Sequence, residues 1–152
     1  MQPADAPELL RLMQALVTFE RGTGFALTEA DLLRWGFGEQ PLFGAFVAEA
    51  GQGSLAGMAV HYTIPFMHNG RPRLMMKWLY VDPNTRGAGV GKRLMQAMAR
   101  YATDHGFPDF RWFVLKDNDP AQRFYRSLGA EPDPTWDYWT YPADALANLA
   151  AG

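Results

Sequence analysis

The chain has 152 residues, 48% hydrophobic and 20% charged, an ordinary globular composition that suits one domain with a single sizeable core. A formal net charge of −2 supplies no basic field to recruit nucleic acid or an anionic membrane. The absence of cysteine excludes disulfides, thiol nucleophiles and Cys-ligated zinc, and with no secretory leader or bilayer-length apolar run the expectation is one domain over 1–152 in the cytoplasm.

A first helix is expected from Asp5 as N-cap, with Pro7 in its first turn and Glu8 three residues after the cap. Leu9, Leu12, Met13, Leu16 and Val17 give it one apolar face. After Glu20-Arg21-Gly22-Thr23-Gly24, a loop able to reach a pocket, Thr28 reads as the cap of a short second helix ending near Trp35-Gly36. Residues 42–49 read as a strand, Gly51-Gln52-Gly53 as a turn, and 55–65 as a second strand with Met58, Val60, Tyr62 and Ile64 on one face. Asn69-Gly70 signals a hairpin leading into a strand-like run over 74–81. That run ends at the turn former Asp82-Pro83-Asn84, and Val90, Leu94, Met98 and Ala102 then recur at helical spacing.

The second half repeats the alternation. The central helix should stop near His105-Gly106, with Pro108 just beyond, and 110–115 reads as a strand. Asn118 or Asp119 caps a further helix with Pro120 in its first turn, Phe124 and Leu128 on its apolar face and Gly129 at its end. An aromatic strand over 136–141 and a short helix over 143–150 close the chain. The order ααβββαβαβ predicts an α/β (α+β) domain with a mixed sheet covered by helices.

Between the third strand and the central helix lies Arg86-Gly87-Ala88-Gly89-Val90-Gly91-Lys92. Glycines let backbone amides approach an anion closely, and the amides and positive dipole end of the following helix attract it, with Arg86 and Lys92 adding charge. The bland alternative is that three glycines only shape the turn. A Rossmann fingerprint fails because its third glycine would fall at Lys92, and a P-loop fails because it would need glycine at Arg86 and Ser or Thr at Arg93.

Two ordered motifs resemble the Gcn5-related N-acetyltransferase (GNAT) superfamily. Arg86, Gly89 and Gly91 fill its (Arg/Gln)-x-x-Gly-x-(Gly/Ala) pattern after a central strand, and Asn118, Ala121, Phe124, Tyr125, Leu128 and Gly129 match its second hallmark. Upstream, Leu27-Thr28-Glu29, Asp31-Leu32-Leu33, Gly36-Phe37-Gly38-Glu39, Pro41 and Val47-Ala48-Glu49 look like the diamine (spermidine/spermine and thialysine) branch. The resemblance implies a mostly antiparallel central sheet flanked by helices, and acetyl-CoA as cosubstrate with no metal. It places coenzyme A phosphates on Arg86, Gly87, Ala88, Gly89, Val90, Gly91 and Lys92, the pantetheine arm along Leu79 and Val81, and Asn118 and Ala121 on the cofactor's other side. A backbone amide of the strand would polarise the thioester carbonyl, as donors do in acyl transfer. Tyr125 takes the place of the general acid for the departing thiolate; a phenol with reference pKa near ~10 holds its proton until the thiolate forms.

The acceptor amine sets a further demand, since an ammonium with pKa ~10.4 lies about 4.6 kcal/mol from its neutral form at pH 7. In the diamine branch acidic residues of the central strand take this proton and bind cation, but Lys77 and Trp78 stand there, and Gly22-Thr23-Gly24 replace further carboxylates. A polycation would meet Lys77 and Arg21 instead, at a repulsion of order kcal/mol for an effective dielectric of ~20. One reading is a small amine bearing its own negative group, such as an amino acid, with Lys77 or Arg21 near its carboxylate; the other leaves Lys77 a solvated strand residue. Glu20, His61 and a water chain are candidate bases. The resemblance also places Trp136 near the acceptor and implies a homodimer. His61, His68 and His105 lie at no metal-ligand spacing. Trp136, Tyr138, Trp139 and Tyr141 read most simply as core and dimer packing. A catalytically silent acyl-CoA-binding or interaction module of the same fold is the rival reading, favoured by the acids missing at Lys77 and Trp78 and opposed by Tyr125.

Overall fold

A computed structural model describes residues 1–65, 67 and 69–150; His68 lies outside the described residues. The chain falls into two compact units, Met1–Phe113 and Val114–Gly152.

The first unit is built on a four-stranded mixed sheet in the order β1-β2-β3-β4, comprising β1 (Gly44–Gly51), β2 (Ser54–Ile64), β3 (Arg73–Val81) and β4 (Phe110–Arg111). The β1/β2 and β2/β3 pairs are antiparallel and the β3/β4 pair is parallel. Successive side chains on a strand face opposite ways. Met58, Val60 and Tyr80 therefore pack on one face against Leu9, Leu12, Met13 and Leu16 of α1 (Ala6–Phe19) and Leu32 of α2 (Glu29–Phe37). The other face carries α3 (Val90–Asp104), which buries Val90, Leu94, Met98 and Ala102 as the helical spacing predicts. Gly57 allows this close approach: a Cβ there would lie 2.8 Å from the Tyr80 carbonyl oxygen and 3.2 Å from both Leu94 and Val90.

Two register shifts position the site. Between β1 and β2, Ala48 pairs with Gly57 and Glu49 with Leu55, so Ala56 is an extra residue on β2. Between β2 and β3, Val60 pairs with Trp78 and His61 with Met76, so Lys77 is an extra residue on β3. Such bulges leave a residue outside the ladder and re-aim its groups.

Several local expectations need correction. Asp5 does stand at the N-cap of α1, but its carboxylate accepts from the Gln2 amide at 2.6 Å and makes no cap bond to the helix. Glu8 does not complete a cap either. It holds Arg11 through two bonds and accepts from the Leu55 amide at 3.0 Å, while Arg11 donates to the Leu55 carbonyl and to Asp82. This network joins α1 to the sheet; it holds both the Glu8 and the Asp82 carboxyl below their ordinary values, Glu8 first through Arg11 and Asp82 first through the Asn84 amide. By contrast, the Thr28 cap forms as expected, a reciprocal box with Asp31. The strand expected over 110–115 is confined to Phe110–Arg111, paired with Leu74 and Met75. The ladder stops just before Lys77, where the bulge bends β3.

The second unit contains α4 (Asp119–Ser127) and α5 (Ala143–Ala150). Asn118 is the cap of α4, accepting from the Ala121 amide at 3.2 Å, and Gly129 leaves the helix at φ 87°. The aromatic strand expected over 136–141 is absent: these residues take no strand conformation, and Trp136 and Trp139 are 76% and 87% exposed. Aromatic composition gives strand propensity but no ladder, and the run lies between Pro134 and Pro142, which cannot donate to one.

Candidate active site

The strand-to-helix turn is a cradle made of backbone. At the end of β3, the Asp82 amide donates to the carbonyl of the bulged Ala56 at 2.9 Å, and the Thr85 hydroxyl donates to the same oxygen at 3.1 Å. A short turn of 3-10 helix, Pro83–Thr85, follows, held by the Asp82 carboxylate on the Asn84 amide. Gly87 and Gly89 then adopt φ of 83° and 73°, a left-handed conformation that side chains with a Cβ rarely take. Gly89 is the N-cap of α3 and has no side chain with which to cap it. The leading amides of α3, from Val90, Gly91 and Lys92, thus face the turn at the positive end of a 15-residue helix. Backbone donors of this kind suit phosphate oxygens.

The charged residues around the cradle differ in role. Arg86 donates to the Val81 carbonyl at 3.2 Å, and its guanidinium lies 5.6 Å from the Phe19 ring centroid and 6.0 Å from that of Tyr80. It ties the turn to the end of α1. Arg93, which no sequence motif marks, donates to the Ala88 carbonyl at 2.9 Å and braces the loop between the two left-handed glycines. Lys92 is exposed on the first turn of the helix. Leu79 and Val81 are half-buried on β3.

On the sheet face covered by α1 and α2 lies a half-open cavity of about 240 Å³ with almost wholly apolar walls. Trp35, Phe43, Val60, Tyr62 and Trp78 contribute to it, with Lys77 as its charged member. The bulge accounts for the presence of both Lys77 and Trp78, since neighbours on a regular strand would face opposite ways. The Lys77 ammonium lies 5.6 Å from the Trp78 ring centroid. Glu20, just past the end of α1, is within electrostatic range of Lys77. Partial burial pushes its carboxyl above the ordinary value, and Lys77 pulls in the opposite direction.

Arg21 is not part of the cavity wall. It closes α1 instead, at φ 58°, its amide donating to the Thr18 carbonyl while the Gly22 amide reaches Val17. This is a helix stop of Schellman type with an arginine at the position that favours glycine. Gly22 is held to its identity by the same turn, since a Cβ would lie 2.7 Å from Val17 Cγ1. His61, a candidate base, is buried on the α3 face, stacked on Phe46 and 4.8 Å from the Tyr101 ring centroid. Burial lowers its pKa from 6.5 to about 4, and it faces away from the cavity. Among the described residues no group of acidic or histidine side chains is placed to hold a metal, and no helix is long and apolar enough to cross a membrane. In the second unit, Tyr125 is half-buried on α4 beside Phe124, their ring centroids 5.3 Å apart.

Residues 9–130 match the Acetyltransferase (GNAT) family profile. The chain belongs to the GNAT family. As a GNAT protein it is an N-acetyltransferase, and the cosubstrate of its family is acetyl-CoA. It is 32% identical to the thialysine N-epsilon-acetyltransferase of Sus scrofa, over 96% of this chain and 92% of that one. A second relative, the spermidine/spermine N(1)-acetyltransferase-like protein 1 of Homo sapiens, is 28% identical over 98% of this chain and 23% of its own length. Both place this GNAT chain in the diamine branch. Among solved structures, an aminoglycoside acetyltransferase from an uncultured soil metagenomic sample, in complex with trehalose, superposes with a TM-score of 0.75 at 25% identity, covering 93% of each chain.

Proposed function

We propose that residues 1–152 act as one acetyltransferase domain that moves an acetyl group from acetyl-CoA to the primary amine of a small molecule by direct attack. The observation that carries this is the uncapped start of α3 behind two left-handed glycines, a backbone anion cradle in a chain of this family. The amides of Gly87, Ala88, Gly89, Val90, Gly91 and Lys92 bind the coenzyme A phosphates, with charge from Arg86 and Lys92. Leu79 and Val81 pair with the pantetheine arm in the manner of an added strand. Asn118 and Ala121 line the cofactor; because the Asn118 oxygen already accepts from Ala121, its side-chain amide N–H groups are the donors that remain.

The acceptor ammonium gives one proton to Glu20, whose raised pKa makes it a better base near neutrality than an ordinary carboxylate. The amine nitrogen bonds to the acetyl carbon as the C–S bond breaks. Tyr125 protonates the leaving thiolate, and the second amine proton restores the phenol through water. The products are the N-acetyl compound, free thiol and one proton. Lys77 meets the anionic group of the acceptor, and Trp136 belongs to the acceptor side. The family resemblance and the exposed aromatic run over 136–141 support a homodimer, and the composition supports a cytoplasmic location.

Release of free thiol from acetyl-CoA with a panel of amines tests this reading. Amine-dependent release is expected; binding of acetyl-CoA with no release for any amine would favour the catalytically silent module. Tyr125→Phe is expected to lower kcat about a hundredfold or more while leaving acetyl-CoA affinity unchanged. An unaltered kcat refutes the acid role.

A further inference from the structure

The cavity beside Lys77 narrows the acceptor class further. Its walls are almost wholly apolar, so a ligand group seated there gains from leaving water and finds few partners for polar atoms. An apolar protein cavity of roughly 150 Å³ accommodates benzene. A volume of about 240 Å³ therefore suits an aryl or branched alkyl group rather than a sugar or a long polyamine. Its aromatic rings could in principle attract a cation, but the Lys77 ammonium already lies over the Trp78 ring, and a second positive charge there meets like charge. Lys77 and Glu20 are opposite charges within electrostatic range of each other. Lys77, the charged member of the cavity wall, complements a ligand that carries a carboxylate beside its apolar group.

We propose that the acceptor is a hydrophobic α-amino acid, its side chain in the cavity, its carboxylate on Lys77 and its α-amine directed toward Glu20. This rests on the acyl-transfer reading above and specifies its substrate. The reaction is then N-acetylation of the α-amine: the new N–C bond replaces the C–S bond of the thioester, and the ammonium proton passes to Glu20.

The test compares kcat/KM of the full chain, with acetyl-CoA, for L-phenylalanine, phenethylamine, glycine and spermidine, alongside calorimetric binding of 3-phenylpropanoate, which has the ring and carboxylate but no amine. Phenylalanine is expected to exceed phenethylamine by about tenfold or more, the worth of one charge-assisted contact, and glycine by a similar factor, the worth of a buried ring. Lys77→Glu should reverse the order, favouring phenethylamine and spermidine. Leu42 lines the cavity yet is 67% exposed, so Leu42→Trp should fold normally and reduce kcat/KM for phenylalanine by a larger factor than for glycine. Turnover of spermidine with none of phenylalanine overturns the proposal and leaves acyl transfer standing. No turnover of any amine, with 3-phenylpropanoate still bound and lost in Leu42→Trp, overturns acyl transfer and with it the acceptor role.

Discussion

The cradle and the cavity lie at the two ends of a single short stretch of β3 and its exit, yet they are made of different material. The cradle is backbone: two left-handed glycines, the uncapped amides of α3 and the carbonyls of Ala56 and Val81. The cavity is side chain, assembled from α1, α2, β2, β3 and the segments around Leu27 and Phe43. A backbone site depends on conformation and tolerates many side chains, provided the glycines stay. A side-chain site depends on residue identity at positions far apart in the chain. The first kind suits a cosubstrate shared by a whole family, and the second suits an acceptor that differs from member to member.

Gly89→Val offers the sharpest way to break this contrast. A β-branched residue at φ 73° costs about 1–2 kcal/mol in the left-handed region, so acetyl-CoA binding should weaken roughly tenfold with KM for the amine unchanged. Equal damage to both constants would mean that the two sites are one unit. On the cavity side, the pH profile of kcat/KM should show an acid limb above pH 4.5, because burial raises the Glu20 carboxyl and only its ionised form accepts a proton. Glu20→Gln should remove that limb and leave acetyl-CoA affinity intact.

Two smaller effects probe the scaffold beneath both sites. His61 titrates at about 4 in the folded chain against 6.5 when free, so between these values the unfolded chain binds more protons. Its contribution to stability is complete above about pH 6.5 and is lost as the pH falls toward 4. Urea midpoints measured across that range should decline for the natural chain and decline less for His61→Gln. Arg21→Gly should stabilise by about 0.5–1 kcal/mol in the same titrations, by relieving φ 58° at the helix stop, without changing either KM.

The same division explains what could be read from the chain alone. Glycine positions, caps and helical spacing are local, so the glycine turn, the Thr28 cap, α3 and a cap at Asn118 or Asp119 were all legible. The cavity was not, because no local signal joins Trp35 to Tyr62 and Trp78. The facing of Lys77 was open for a definite reason: alternation on β3 holds only up to a bulge, and the bulge is recorded in pairing with β2 rather than in the β3 sequence. Arg86 matched its motif, while its contact with Phe19 needed the fold. The 136–141 run shows the opposite failure, a strong local preference without a neighbouring strand to realise it. Glu8 was misread for a related reason, since its partner Leu55 lies 47 residues away.

The extra residue at Lys77 has a consequence for how the strand can change over evolutionary time. It acts as a phase shift: residues before it alternate in one parity, residues after it in the other. Pairing it within the ladder would turn Leu79 rather than Tyr80 toward α1 and swing the exit of the strand, and with it the glycine turn, through half a period. The residue must therefore stay outside the ladder, where its side chain is open to replacement. Position 77 is a place where a new charge can be tried without rebuilding the machinery next to it.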